Sequence, residues 1–153
     1  MGGLFGVASS SDCVTDLFYG TDYHFHLGTR RGGMAVKNSH EIRRSIHSIE
    51  NNYFRSKFEP DLNKFEGNKG IGVISDNDSQ PLVIGSHLGS FAIVTVARIT
   101  NMAELTAQAY ARCNSFSEST SGAINPTELV ATLICGSPSP NTASQNSRLK
   151  RWE

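Results

Sequence analysis

The three cysteines carry the most reactive side chains in this sequence, and their spacing limits the chemistry they could perform. Cys13, Cys113 and Cys135 lie far apart, are odd in number and form no CxxC pair. A thiolate can act as a nucleophile or bind a metal ion. This spacing, however, favours neither a disulfide framework nor a structural zinc site. We interpret all three as small apolar residues that are buried in the fold.

Two histidines lie two residues apart in the segment DYHFHLG. On a strand, His24 and His26 would share one face, and imidazole is a common metal ligand. A metal site needs at least a third ligand, and the spacing of the other residues provides none. We therefore predict no metal and interpret the pair as polar residues beside a turn.

Two adjacent arginines, Arg30 and Arg31, lie in the glycine-containing segment HLGTRRGG. Guanidinium groups suit phosphate and carboxylate anions because they donate paired hydrogen bonds. Both arginines are therefore candidate substrate-binding residues, and stabilisation of the turn is an equally good interpretation.

The charge balance excludes some classes of function. The 153 residues contain 14 basic and 14 acidic side chains, so the formal net charge is zero. A protein that binds nucleic acid through bulk charge would be strongly basic. No apolar run approaches the roughly 18 residues that span a bilayer, and the segment MGGLFGVASSSDC lacks the basic region of a secretory signal. The sequence predicts a cytoplasmic protein that binds neither nucleic acid nor membranes.

Length and hydrophobic patterning predict one layered domain. With 38% hydrophobic and 18% charged residues, the composition is turn-rich. The spacing of Ile42, Ile46 and Ile49 predicts an amphipathic helix, or two short helical turns, within residues 41–58. The predicted strands cover residues 4–7, 34–36, 70–75, 82–84 and 91–99. The other predicted helices cover residues 16–23, 102–112 and 126–134. This order is typical of an α/β or α+β fold, and the polar residues 137–153 look disordered or foreign to it.

Several segments, taken in order, resemble one family. MGGLFGV is similar to the MCGIFGI start of class II glutamine amidotransferases, the Ntn-hydrolase domain found in amidophosphoribosyltransferase. DLFYGTDYHFHLGTRRGGMAV resembles the family's helix and HRGQDSAG turn, with Arg31 and Gly32 matching. GIGVISDNDSQPLVI resembles the GHVRYST segment, FAIVTVARITNMAEL the strand before HNGNLTN, and INPTELVATLI the SDSEVL helix. The ordered set is more specific than any single motif and covers roughly residues 1–136.

The resemblance implies an α+β fold, a four-layer αββα sandwich of two antiparallel sheets. It also implies an amino-terminal Cys that attacks the glutamine amide, with its own α-amine as the base. The released ammonia passes to a second domain, which uses phosphoribosyl pyrophosphate in purine biosynthesis. No cofactor is implied for the glutaminase step.

The sequence departs from the family at the positions that carry this chemistry. Gly2 occupies the position of the nucleophile, and Ser75 that of the Arg that binds the glutamine carboxylate. Val96 and Ala97 replace the Asn and Gly of the oxyanion hole, where loss of one donor costs about 3 kcal/mol. Pro126 replaces the Asp that binds the glutamine amine. We therefore predict no catalytic residue at these positions.

Three hypotheses follow. The first is a glutamine-amidotransferase-like domain of residues 1–136 that is a pseudoenzyme with a structural or regulatory role. The second is an active amidohydrolase or glutaminase half, with Cys13 as the nucleophile. The third is a module that binds a metabolite or a protein partner. The expected partners are a phosphoribosyltransferase domain or subunit, and a second copy of the chain in a homo-oligomer.

Overall fold

The computed structural model describes residues 2–76, 78–111, 116, 119–120 and 123–136. The chain divides into two units, Met1–Arg98 and Ile99–Glu153. None of the helices among the described residues combines the length and the apolar character needed to cross a bilayer. The predicted tail, residues 137–153, and Cys113 lie outside the described residues.

The first unit is built on a four-stranded antiparallel sheet in the order β1-β4-β2-β3. Its strands are β1 (Gly2–Ala8), β2 (Arg31–Lys37), β3 (Ile42–Ser48) and β4 (Lys69–Ser75). Three of these strands contain the segments predicted at residues 4–7, 34–36 and 70–75, which confirms them. The sequence indicates β1 and β4 because each contains a short apolar segment that is followed by polar residues.

Residues 41–58 were predicted as helix, and this prediction is wrong for most of the segment. Ile42 and Ile46 are four residues apart, a spacing that fits one face of a strand as well as one face of a helix. The Asn38 side-chain oxygen accepts the backbone N–H groups of His40 and Glu41, both at 2.8 Å. This turn returns the chain alongside β2, so a strand forms, and helix begins only at Phe54.

Helices cover one face of the sheet. They are α1 (Val14–Tyr23), a short 3-10 helix (Phe25–Leu27), α2 (Phe54–Phe58) and a second 3-10 helix (Glu59–Lys64). The predicted helix at residues 16–23 is thereby confirmed. The core lies between these helices and the sheet, with Phe54 and Phe58 stacked at 4.3 Å between ring centroids. Its other buried members include Leu17, Phe18, Met34, Val36 and Ile74.

Two glycines allow α1 to approach the sheet closely. A Cβ atom at Gly72 would lie 1.9 Å from Thr21 Oγ1, and one at Gly20 would lie 2.3 Å from the Phe5 ring. Both distances are far below van der Waals contact, so any larger residue would push the helix away. The close packing of α1 on the sheet therefore requires glycine at both positions.

A two-stranded antiparallel sheet, β5 (Leu82–Ser86) and β6 (Gly89–Ile93), completes the first unit. The predicted pairing of two β-branched segments across a glycine-containing loop is confirmed. The α+β class is also confirmed, with one four-stranded and one two-stranded antiparallel sheet in this unit. The four-layer sandwich implied by the family resemblance remains a prediction.

The second unit contains α3 (Met102–Ala111), a short pair of strands, β7 (Ser119–Thr120) and β8 (Ala123–Ile124), and α4 (Pro126–Gly136). Both helices were predicted, and both are confirmed. Asn125 Oδ1 accepts the Thr127 backbone N–H at 2.8 Å, which satisfies one of the unpaired donors at the start of α4. Pro126 occupies the first position of the helix, where its missing N–H costs nothing.

A polar cluster joins β3 to the helical segment after α2. Asp61 is buried, with 8% of the residue exposed. Its carboxylate accepts a hydrogen bond from Lys64 Nζ at 2.6 Å and one from Ser45 Oγ. His47 Nε2 lies 2.6 Å from the carboxylate. These contacts hold the pKa of Asp61 well below its usual range, with Lys64 contributing most, then Ser45 and His47.

We expect Gly72→Ala to destabilise the first unit because the new methyl group would collide with Thr21. Overpacking of this kind costs about 1–3 kcal/mol. The free energy of unfolding from urea denaturation measures the effect. Gly85→Ala is the matched control, since nothing lies within 4 Å of its added Cβ. Equal stability of the two variants would contradict the close packing of α1.

Asp61→Asn should remove a contribution to stability that depends on pH. A depressed pKa in the folded state means that the carboxylate stabilises the protein above the unfolded pKa of about 4. That contribution is lost as the pH falls below this value. The difference in unfolding free energy between wild type and variant should be about 1–3 kcal/mol at pH 7 and should shrink toward pH 3. The exposed Glu66→Gln serves as the control, and a difference that is constant with pH would refute the assignment.

Candidate functional site

The register of the sheet places four residues in one row at its end. Gly2 pairs with Ser75, Ser75 with Arg31, and Arg31 with Ser48. Residues directly opposite each other in antiparallel strands lie on the same face, with neighbouring strands about 4.8 Å apart. Three of the predicted site residues, Gly2, Ser75 and Arg31, are thus brought to one end of one sheet face.

The backbone around Gly2 leaves little room for a side chain. A Cβ atom built on it would lie 2.5 Å from the carbonyl oxygen of Ile74, 3.2 Å from Val96 Cγ1 and 3.4 Å from Ser75 Cα. Val96 therefore joins Gly2 and Ser75 in one neighbourhood. Position 2 offers neither a thiol nor a hydroxyl, and the backbone of β4 occupies the place where such a side chain would begin.

Val96 reaches this neighbourhood through a chain of close contacts. A Cβ at Gly33 would lie 1.8 Å from the Gln80 carbonyl oxygen, so the chain crosses β2 where no side chain projects. The Gln80 amide then donates to the Thr95 carbonyl at 3.0 Å and accepts the Thr95 N–H at 2.7 Å. A buried side chain thus holds the segment that leads to Val96.

The predicted strand at residues 91–99 is wrong beyond Ile93, and the contacts of Gln80 explain why. The strand β6 ends at Ile93. Because the Gln80 side chain takes both backbone groups of Thr95, the chain beyond Ile93 is held by an amide and not by a strand ladder. The hydrophobic, β-branched sequence of residues 91–99 does not indicate that the Gln80 side chain binds the backbone of Thr95.

The other two predicted positions, Ala97 and Pro126, are not part of this row. Ala97 is exposed and follows Val96 directly. Pro126 is the first residue of α4 and belongs to the second unit. The role of either position in binding glutamine remains a prediction.

A cavity of about 390 Å³ adjoins the row and contains both predicted arginines. Arg31 Nη1 donates a hydrogen bond to Ser79 Oγ. Arg30 Nε lies 4.0 Å from Glu50 Oε1, and both of these side chains are more than half exposed. The remaining lining residues are Ile46, His47 and Ser48. The structure therefore places Arg30 and Arg31 beside the end of the sheet that carries Gly2 and Ser75.

A hydrogen bond fixes the segment that carries the arginines. The Thr29 backbone N–H donates to Asp76 Oδ1 at 2.7 Å. Asp76 directly follows Ser75 in the chain, so the residues before β2 are tied to the residues after β4. This contact was not predicted from the sequence, because Thr29 and Asp76 are 47 positions apart.

The described cysteines are not arranged for catalysis. Cys13 is completely buried, and its pKa is raised by burial first and then by the charges of Asp12 and Asp16. Both effects disfavour the reactive thiolate. Cys135 is a free thiol of intermediate exposure. The prediction of a buried cysteine is confirmed for Cys13 and is wrong for Cys135, which is partly exposed near the end of α4.

The two histidines of DYHFHLG lie at the end of α1 and not on a strand. His24 Nδ1 lies 2.8 Å from the Gly20 carbonyl, and His26 Nδ1 lies 2.9 Å from the Tyr23 carbonyl. These contacts satisfy carbonyl groups at the end of a helix. Among the residues that the structure describes, no three His, Cys, Asp or Glu side chains come together as a metal site.

The cluster of Ser45, His47 and Asp61 contains the residue types of a catalytic triad. In a triad, the serine and the acid bind different nitrogens of the imidazole ring, so that a proton can be relayed. Here Ser45 Oγ lies 3.0 Å from His47 Nε2, and Asp61 contacts the same nitrogen. The arrangement cannot work as a relay, and we assign it to stability.

Comparisons with known proteins found similarity at the level of the fold. The glutamine phosphoribosylpyrophosphate amidotransferase from B. subtilis, complexed with ADP and GMP, matches with a TM-score of 0.72 and 22% identity, over 88% of this chain and 29% of that one. A structure described as the allosteric regulatory enzyme of purine biosynthesis matches with a TM-score of 0.70 and 21% identity, over the same shares. Searches against protein families and curated proteins gave no match.

The fractions of the two chains that align limit what the similarity shows. The chain spans less than a third of the length of either matched protein. At this level of identity the likeness concerns the fold alone. The chain has a fold similar to that of the amino-terminal glutamine amidotransferase part of phosphoribosylpyrophosphate amidotransferase.

Proposed function

We propose that this chain is a glutamine-amidotransferase-like domain that does not hydrolyse glutamine and has a structural or regulatory role. The observation that carries the proposal is the environment of Gly2. It combines the absence of a nucleophilic side chain with a Cβ position 2.5 Å from the Ile74 carbonyl oxygen. Attack on an amide carbonyl requires a nucleophile and space for the tetrahedral intermediate beside it.

The neighbours of Gly2 support the same conclusion. Val96 presents methyl groups, which cannot stabilise an oxyanion. Ser75 is 5% exposed and carries no charge, so it cannot replace a guanidinium as the partner of a glutamine carboxylate. Gly2, Val96 and Ser75 thus supply neither a nucleophile nor a side-chain oxyanion donor, and position 75 carries no charge.

An active glutaminase that uses Cys13 is the alternative. Burial of the thiol and the two neighbouring acidic residues oppose it, because both raise the thiol pKa. In addition, Cys13 lies immediately before α1, five residues beyond the end of β1, and it is not in the row that contains Gly2.

The partners follow from the same proposal. A phosphoribosyltransferase domain or subunit is the first candidate, and self-association into a homo-oligomer is the second. The support is that the matched amidotransferases are about three times as long as the region they share with this chain. If it acts with such a partner, the chain would contribute to purine biosynthesis without supplying ammonia.

The first test is release of ammonia from glutamine. We expect the wild-type chain to release none above buffer, and Gly2→Cys to be equally inactive because its Cβ would meet the Ile74 carbonyl. Labelling with a glutamine-analogue electrophile, followed by peptide mapping, should leave the described Cys13 and Cys135 unmodified. Release of ammonia that depends on glutamine and disappears in Cys13→Ser would overturn the proposal in favour of the active glutaminase.

A second candidate function is the binding of a small anion at the same end of the sheet. Arg31 lies one strand away from Ser75, the position at which the family carries its carboxylate-binding arginine. Its guanidinium, with Arg30 and the Ser79 hydroxyl, lines a cavity of about 390 Å³. A displaced guanidinium could therefore hold a carboxylate or phosphate without any hydrolysis.

Calorimetric titration with glutamate and with inorganic phosphate tests this candidate. Arg31→Met should weaken binding about tenfold or more, since hydrogen bonds to charged groups contribute about 1.5–3 kcal/mol. Arg43→Met is the control, because Arg43 lies at the opposite end of the sheet and pairs with Glu41 at 2.6 Å. If the wild type binds neither anion, or if both variants lose affinity equally, the assignment fails.

A further inference from the structure

A hollow lies on the sheet face that the helices do not cover. The row Gly6, Ile71 and Ala35 crosses three strands on this face, and two of its three side chains are small or absent. Phe91 and Ala92 of β6 form a wall of the same cavity, which measures about 500 Å³. A Cβ at Gly6 would have no atom closer than 3.9 Å, so the space above this strand is open.

Two lysines stand at the rim of this hollow. Lys69 and Lys37 pair directly across β4 and β2, in the row that begins with Ala8. They are the only charged residues among those that line the cavity. Because like charges directly opposite each other on a sheet are unfavourable, this pairing would be relieved by an anion between the two ammonium groups.

Neither lysine is neutralised by an ion pair with the residues that the structure describes. Lys37 Nζ donates to the Ser90 carbonyl at 3.2 Å. A neighbouring polar cavity shares both lysines and includes Asp12 and Glu66. The Asp12 carboxylate is already engaged, since it accepts the N–H groups of Val14 at 3.0 Å and Gly67 at 2.9 Å.

We propose that this cavity binds an aliphatic carboxylate, with the hydrocarbon chain over the hollow and the carboxylate between Lys37 and Lys69. Its volume lies within the range of about 300–1,000 Å³ that is typical of small-molecule sites. An apolar floor with two lysines at one end matches a ligand with an apolar body and one anionic end. The site uses the opposite end of the sheet from Gly2 and Arg31, so it does not depend on the function proposed above.

Calorimetric titration of the full chain with sodium octanoate tests the site, with 1-octanol as the uncharged analogue. We expect saturable binding of one octanoate per chain and at least tenfold weaker binding of octanol, because the carboxylate forms charge-assisted hydrogen bonds with the ammonium groups, whereas the hydroxyl group is uncharged. Absence of saturable octanoate binding, or equal affinity for octanol, would overturn the proposal.

Variants of the lysines and of Gly6 test separately how the carboxylate and the hydrocarbon chain are bound. Lys37→Met and Lys69→Met keep the length of the side chain and remove its charge, so each should weaken octanoate binding about tenfold. Lys57→Met, on α2, is the matched control and should bind as wild type does. Gly6→Leu should abolish binding by filling the hollow, and a melting curve checks that it is folded. Wild-type affinity in both rim variants refutes the site, whatever the behaviour of Gly6→Leu.

Discussion

The continuous register of β1, β4, β2 and β3 is the constraint on which the rest of the structure depends. Because Gly72 faces Thr21 without a side chain, α1 can lie directly on β4. The same alternation sends the neighbouring residues Ile71 and Val73 to the opposite face. One pleat thus separates the face that packs against the helices from the face that borders the β5–β6 sheet. A shift of one residue in any of the four strands would exchange these two faces.

The register also gives the two ends of the open face different chemistry. At one end, Gly2, Ser75 and Arg31 form a row that combines the absence of a nucleophile with a guanidinium. At the other end, Lys69 and Lys37 form a row that faces an apolar hollow. Neither row is contiguous in sequence, because each is assembled from residues of different strands. The chemistry of this domain is therefore a property of strand pairing more than of any local motif.

Much of this framework could be predicted from the sequence, and the failures have physical causes. The strands β1 and β4 were recognisable because they are short apolar segments, and α4 because Asn125 and Pro126 mark its first turn. The strand β3 was missed because a spacing of four residues fits both periods. The predicted Gly2, Ser75 and Val96 do lie together, whereas the Gln80 contact to Thr95 and the pairing of Lys37 with Lys69 depend on tertiary structure that no local pattern encodes.

The position of Gly2 bears on how the fold and the chemistry of this domain relate. The contacts that hold α1 on the sheet include those at Gly72, Thr21, Gly20 and Phe5 and those of the buried Leu17 and Phe18. None of them involves Gly2, Val96 or Ala97. A nucleophile at position 2 could thus be absent without any loss of packing in the core. A Cβ atom at position 2 would lie 2.5 Å from the Ile74 carbonyl oxygen, so the backbone of β4 leaves no room there for a side chain. A cysteine introduced at position 2 would therefore strain this end of the sheet.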